Sequence, residues 1–155
     1  MMNRLLLPAA ACIAMLISCT GNKSTAETSV QATTAGADLR GKWYIENIVI
    51  NDSTYVRPEE EVPGVAQYVI FDDSTYFIQT NCNSISGTYV VNGDSITLGD
   101  GAMTEMACDN MATEDLLRQV LPLIKTIDEE NDSIVRLNSL SGPEYIVMRK
   151  AAEKQ

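Results

Sequence analysis

The sequence predicts a mainly β fold of the α+β class, a small antiparallel β barrel or curled sheet with one helix. Short runs rich in β-branched and aromatic residues, separated by turn residues, recur between residues 42 and 150. A single stretch has helical periodicity instead. An antiparallel sheet of this length usually curls into a barrel or sandwich, because closure removes exposed strand edges.

The predicted order is five strands, one helix and two strands. The strand segments are Lys42–Ile50, Gln67–Asp72, Thr75–Thr80, Gly87–Val91, Ser95–Gly99, Ser133–Ser139 and Glu144–Lys150. Asp-Ser pairs lie within 51–55, 72–76, 92–97 and 131–135. Because Asp and Ser side chains bond nearby backbone at reversals, at least the last three are predicted hairpin turns.

The acidic runs at 59–61 and 128–130 are interpreted as solvated loops. Neither these runs nor the Asp-Ser turns have the spacing of a known calcium loop. Adjacent carboxylates in loops also differ from a catalytic acid and base pair, which needs a shared cleft with two different environments.

The helix is predicted over Met111–Ile124. Four apolar residues share one face that we expect to cover the sheet: Leu116, Leu117, Val120 and Leu121. Thr113 is the predicted N-cap, with Glu114 and Asp115 in the first turn, where the helix dipole favours acidic groups. Pro122 is expected to end or kink the helix.

Residues 1–18 are predicted to be a lipoprotein signal peptide. Arg4 precedes the 13-residue apolar run Leu5–Ile17, which is shorter than the roughly 20 residues that cross a bilayer. A basic start followed by a short apolar run is typical of an export signal. The sequence Leu-Ile-Ser-Cys at 16–19 resembles a bacterial lipobox, so Cys19 is the predicted lipidation site and membrane anchor. The alternative is a chance cysteine near an ordinary cleavage site.

Residues 19–37 are predicted to be the lipidated N-terminus and a flexible tether, because they are small and polar without apolar periodicity. Thr20 follows the predicted lipid site. By resemblance to lipoprotein sorting rules, a residue other than Asp at this position favours the outer membrane. We therefore expect an outer membrane lipoprotein of the bacterial cell envelope that faces the periplasm. The formal net charge of −10 argues against binding of nucleic acid.

Cys82 and Cys108 are predicted to form a structural disulfide. Of the four cysteines, Cys12 leaves with the signal peptide and Cys19 takes the lipid. An even pair in an exported domain is most simply a disulfide, and free buried thiols are the next alternative.

Reactive roles for these two cysteines are less favoured. A catalytic cysteine usually needs a nearby histidine, and the chain has none. The two cysteines are too far apart for a typical redox motif, and they are too few for zinc unless carboxylates complete the ligand set. We therefore predict no catalytic residue, metal or cofactor.

Three motifs resemble those of the META domain family, typified by the heat-shock lipoprotein HslJ. They are Leu39–Ile45 (LRGKWYI), Cys82–Tyr89 (CNSISGTY) and Met103–Cys108 (MTEMAC). The resemblance covers about residues 39–149. Residues 38–150 are therefore a predicted META-like domain, and 151–155 a C-terminal tail.

The resemblance implies a small antiparallel barrel with one helix, in exported and often lipid-anchored proteins associated with heat or envelope stress. It supports the pairing of Cys82 with Cys108 and carries over no catalytic residue. This chain departs from the family pattern by a longer insert at 51–67.

The family-motif positions are expected to be architectural. Asn83 can bond backbone at a turn, and Gly87 can supply a positive φ or a bulge. Trp43 and Tyr89 are expected in the core, with Met106 packed against them.

The expected function is that of a non-enzymatic envelope protein acting through contacts with an unknown protein partner under stress. The sequence contains no hydrolase elbow, metalloprotease, P-loop or dinucleotide motif. The alternative is a carrier that holds a small molecule or peptide at the barrel mouth, although barrels of this size are usually filled by side chains. A hydrolase using Ser or Asp without histidine has no positive support.

Overall fold

The computed structural model describes residues 36–51, 54–56 and 67–152. The predicted signal peptide, Cys19 and the acidic run at 59–61 lie outside these residues. Within the described ranges, no helix is long and apolar enough to cross a membrane.

The described residues form nine β-strands, one α-helix and one 3₁₀ turn. In chain order they are β1 (Gly41–Asn51), β2 (Thr54–Val56), β3 (Tyr68–Phe71), β4 (Thr75–Gln79), β5 (Ser84–Asn92), β6 (Ser95–Met103), α1 (Ala112–Val120), the 3₁₀ turn Leu121–Leu123, β7 (Ile124–Asn131), β8 (Ile134–Ser139) and β9 (Tyr145–Lys150). Neighbouring strands pair antiparallel in the order β2-β1-β3-β4-β5-β6-β7-β8-β9. Because β1 also pairs with β9 from Trp43 to Val49, the sheet closes into a barrel. This confirms the predicted fold class.

The insert at 51–67 begins with a strand that the sequence did not reveal. β2 pairs with the end of β1, at Ile48–Asn51, while β3 pairs with its start, at Gly41–Tyr44. Both lie on the edge of β1 opposite β9, since Trp43 and Tyr44 pair with β3 and β9 at once, and Ile48 and Val49 pair with β2 and β9. β2 and β3 therefore pair with different parts of the same edge of β1. The barrel is closed by the eight strands other than β2.

Side chains fill the barrel. Alternate residues of the strands point inward and join one apolar core, which includes Trp43, Ile48, Val69, Ile78, Ile96, Val135, Ile146 and Met148. Leu117 and Val120 of α1 are fully buried in the same core, so the helix covers the sheet as predicted. The space left inside is about 10 Å³, at the lower limit for one water molecule.

The helix departs from the prediction at its start. It begins at Ala112 with Met111 at the N-cap, and no side chain caps it. Thr113 is buried within the first turn, so its assignment as N-cap was wrong. The Ala112 N–H instead donates to Asn110 Oδ1 at 3.1 Å. Pro122 ends the α-helix as expected, because it lies in the 3₁₀ turn.

The acidic run at 128–130 lies in β7, so its assignment to a loop was wrong. Register shifts between Ile124 and Thr126, and between Glu129 and Asn131, interrupt the pairing of β7 with β8. These bulges break the period-two pattern by which a strand is recognised. The predicted hairpin turns at β3–β4, β5–β6 and β7–β8 are all present.

Candidate functional site

The aromatic residues of the family motif lie in the barrel core. Trp43 is 4 % exposed, and its Nε1–H donates to the Leu39 carbonyl oxygen at 2.6 Å. The Tyr89 hydroxyl donates to the Asp72 carbonyl oxygen at 2.6 Å, and its ring meets that of Phe71 edge-on, with centroids 5.0 Å apart. Both aromatics therefore fill the core, as expected. Trp43 also holds the segment before β1, and Tyr89 holds the β3–β4 turn.

Gly87 makes room for another aromatic ring. It pairs with Gly101 across β5 and β6, next to a register shift. A Cβ on Gly87 would lie 2.7 Å from the Tyr76 hydroxyl oxygen. The expected bulge is present, but the positive φ is not: within the described ranges, Gly41 and Gly93 have that conformation.

Cys82 and Cys108 form the predicted disulfide, with Cα atoms 6.2 Å apart and a sequence separation of 26 residues. The bond ties the β4–β5 turn to the loop that follows β6. Cys82 is 5 % exposed. The disulfide therefore staples two irregular segments that the β-ladder alone does not join.

Asn83 makes a second link between the same two segments. Its side chain is fully buried. Oδ1 accepts from the Met106 N–H and the Thr104 hydroxyl, both at 2.8 Å, and Nδ2 donates to the Met106 carbonyl oxygen at 3.1 Å. Asn83 thus holds the backbone of the loop after β6, in agreement with its expected role.

The Met106 side chain is 57 % exposed. The expectation that it packs against the core aromatics was therefore wrong. Its contribution to the site is made by its backbone N–H and carbonyl groups, which both bond Asn83.

Glu114 is the site residue that sequence reasoning missed. Its carboxylate is fully buried, and Oε1 accepts from the backbone N–H groups of Cys82 and Asn83 at 3.2 and 3.1 Å. It also accepts a short hydrogen bond from the Thr80 hydroxyl. Oε2 is buried and has no partner among the described residues. An acid in the first turn of a predicted helix gave no signal that it would reach a turn 31 residues away.

The arrangement is suited to holding loops rather than to chemistry. The disulfide leaves no thiol at Cys82 or Cys108, the chain has no histidine, and the buried carboxylate accepts bonds from its own domain. The part of the chain that the structure describes contains no group of three or more Cys, Asp or Glu side chains placed to hold a metal.

One groove lies where the barrel wall is open, and residues of the core line part of it. It has a volume of about 460 Å³ and runs between β6 and the end of α1. Apolar side chains of both elements line it, together with Tyr76 and Arg118. Burial raises the pKa of the Tyr76 hydroxyl.

At the entry to β1, the hydrogen bonds from Arg40 hold the pKa of Asp38 at about 2.

Two solved structures have a similar fold. One is the NMR structure of a protein from Burkholderia xenovorans, with a TM-score of 0.60 and 15 % identity, covering 72 % of this chain and 82 % of that one. The other is the crystal structure of a DUF4847 family protein from Bacteroides vulgatus, with a TM-score of 0.50 and 12 % identity, covering 74 % and 94 %. At these identities the likeness concerns the fold alone.

A search of curated proteins found no match. Residues 37–152 match the META domain family, a span that takes in all the strands and the helix that the structure describes, the disulfide and the polar cluster around Asn83. The chain therefore belongs to the META domain family.

Proposed function

We propose that this protein is an exported, lipid-anchored and non-enzymatic protein of the cell envelope that acts through protein contacts under heat or envelope stress. The filled barrel is the observation that carries the contact function, because about 10 Å³ of interior space leaves its outer surface as the place to bind a partner. The buried polar side chains around Asn83 bond mainly within the domain. The META domain is also not a known enzyme family.

Anchoring at Cys19 is supported by the lipobox-like sequence at 16–19 and the polar tether that follows. The experiment is metabolic labelling of cells with an alkyne analogue of palmitate, followed by membrane fractionation. Cys19→Ser should abolish labelling and release the protein from membranes. Cys12→Ser is the matched control, since that cysteine lies in the predicted signal peptide, and it should label like the wild type. Equal labelling of both variants would refute anchoring at Cys19.

The stress role is tested by deleting the gene in the native host and measuring survival after heat and after an envelope-damaging agent. Wild-type protein should restore survival, whereas the unanchored Cys19→Ser protein should restore it poorly. Full survival of the deletion strain under both treatments would contradict the role. This outcome would leave the lipidation result intact.

The alternative function, a carrier with its ligand inside the barrel mouth, is less well supported. A drug-sized ligand needs a pocket of about 300–1,000 Å³, far above the space inside this barrel. The groove beside β6 is large enough, but the exposed residues Gly99–Ala102 form one side of it, so it does not enclose a ligand as a barrel interior would.

A further inference from the structure

For most of its length, β6 is paired along one edge only. β5 pairs with it from Ser95 to Met103, whereas β7 meets its other edge at the single residue pair Ser95–Thr126. Gly99–Ala102 are exposed although they lie in a strand. Among the described residues, the second edge of β6 therefore has no strand partner after its first residue.

The register identifies which backbone groups face this open edge. The Thr104 N–H donates to the Ser84 carbonyl oxygen at 3.0 Å, on the β5 side. Because successive residues of a strand direct their amides to alternate edges, the N–H groups of Met103 and Gly101 face away from β5. Edge groups of this kind are a template for pairing with another chain.

The open edge forms one side of the 460 Å³ groove. The opposite side is the end of α1 and the 3₁₀ turn, where Leu121 and Pro122 provide an apolar wall above the buried Leu117. Arg118 stands at the rim, exposed, and forms no ion pair with a described residue. The groove thus combines a row of backbone groups with an apolar wall.

Tyr76 contributes a polar group to the same groove. Only 6 % of this residue is exposed, and its hydroxyl makes no hydrogen bond to a described residue. The ring lies over Gly87 and Gly101, where an added Cβ would stand 2.7 and 3.2 Å from the hydroxyl oxygen. The two glycines therefore let the phenol reach between β5 and β6 to the groove that it lines.

We propose that this groove binds an extended peptide segment of a partner protein, which adds a strand to the open edge of β6. The inference rests on the proposed contact function and locates its surface. Along one edge of a strand, backbone donors and acceptors repeat about every 7 Å, a spacing that another strand matches over several residues. The open stretch from residue 97 to residue 103 is about 20 Å long. Apolar side chains of the peptide pack against Leu121 and Pro122, and one polar group bonds the Tyr76 hydroxyl.

The probe is a random heptapeptide phage library, selected against the oxidised full-length chain in detergent. Ala102→Arg is the blocking variant, because Ala102 is exposed and lines the groove. Val90→Arg is the matched control, a 66 % exposed position on β5 that does not line the groove. Selected peptides should bind the blocking variant at least about tenfold more weakly than the wild type, and the control within about twofold. Tyr76→Phe, which removes one hydroxyl, should weaken binding about three- to tenfold.

N-methylation of the selected peptides tests strand addition directly. A methyl on an amide that faces β6 removes a hydrogen bond and separates the strands, so binding should fall at least about tenfold at every second position. The positions between should change binding by no more than about twofold. Amide hydrogen exchange should slow at Gly101 and Met103 when the peptide binds.

Three results would overturn the proposal. One is that no peptide is enriched on the wild type relative to Ala102→Arg. Another is uniform tolerance of N-methylation, which would indicate binding without strand addition. The third is slow exchange at Gly101 and Met103 in the free protein, or a dimer in sedimentation, because either would mean that this chain already covers its own edge. None of these results bears on the labelling at Cys19, so the two proposals fail separately.

Discussion

Replacing Asn83 with aspartate exchanges the side-chain NH₂ group for an oxygen. This change should make the free energy of unfolding decrease as the pH rises. In the wild type, Nδ2 donates to the Met106 carbonyl oxygen at 3.1 Å, while Oδ1 accepts from the Met106 N–H and the Thr104 hydroxyl. In Asn83→Asp, a second oxygen takes the place of Nδ2. An ionised carboxylate then faces a carbonyl oxygen at a fully buried position.

The magnitude follows from these contacts. The lost hydrogen bond contributes about 1 kcal/mol, and burying a charge beside another acceptor adds about 2 kcal/mol. The free energy of unfolding should therefore fall by about 3 kcal/mol at pH 7. A domain of this size is usually stable by about 5–15 kcal/mol, so the variant should still fold.

The stability of Asn83→Asp should fall as the pH rises, because the new carboxyl has a raised pKa in the folded state. Burial and the facing oxygen raise the folded-state pKa of the new carboxyl at position 83 above its unfolded value of about 3.9. The protonated carboxyl can again donate to the Met106 carbonyl oxygen. Its stabilisation is therefore present below the unfolded pKa and is lost as the pH rises through the folded pKa. Relative to wild type, the deficit should shrink to about 1 kcal/mol near pH 4.

The assay is urea unfolding of the oxidised protein at pH 4 and pH 7, followed by the fluorescence of Trp43, the single tryptophan, which is buried. Asn83→Ala is the matched control. It removes all three of these hydrogen bonds without adding a titratable group, so its deficit of about 2–3 kcal/mol should be the same at both pH values. A deficit for Asn83→Asp that is constant, or larger at pH 4, would refute the reasoning.

Three further changes test the same cluster and the neighbouring strands. Reduction of the Cys82–Cys108 bond should lower the free energy of unfolding by about 3–4 kcal/mol for a separation of 26 residues; equal urea midpoints with and without reductant would contradict this. Glu114→Gln keeps an oxygen acceptor and should stay within about 1 kcal/mol of wild type, whereas Glu114→Ala should lose about 2–4 kcal/mol by urea unfolding. Equal losses would argue against the hydrogen bonds as the cause. Gly87→Ala should cost at least about 1 kcal/mol, because its Cβ would lie 2.7 Å from the Tyr76 hydroxyl oxygen; an unchanged melting temperature would show that the ring moves freely.

Local patterns were sufficient for much of the barrel. The Asp-Ser turns mark three hairpins because these side chains favour reversals whatever surrounds them. β7 was not predictable in this way, because residues 128–130 are three successive acidic residues and so lack the alternation of a strand. A register shift between Glu129 and Asn131 accompanies them in the structure. β2 was also missed, because the family resemblance treated 51–67 as one insert although its first part continues the sheet.

Site residues were predictable where the chemistry of the side chain alone suggests the role. They were not predictable where the role depends on partners that are distant in sequence. The disulfide follows from the predicted export and the cysteine count, and Asn83 bonds backbone as its side chain suggests. Glu114 could not be found, because its partners at Thr80 and Cys82 lie more than 30 positions away in sequence. Met106 matched the family by side chain, yet its bonds to Asn83 are made by its backbone.

The polar cluster also explains why β6 keeps an open edge. After Met103 the chain bonds back toward β5: the Thr104 N–H meets the Ser84 carbonyl oxygen, and Asn83 holds both polar groups of the Met106 backbone. The disulfide fixes the same loop two residues later. These links draw the end of β6 toward β5 and away from β7, which meets it only at Ser95. The motif residues that build the loop junction therefore also maintain the groove, so an architectural role for them and a binding role for the open edge support each other.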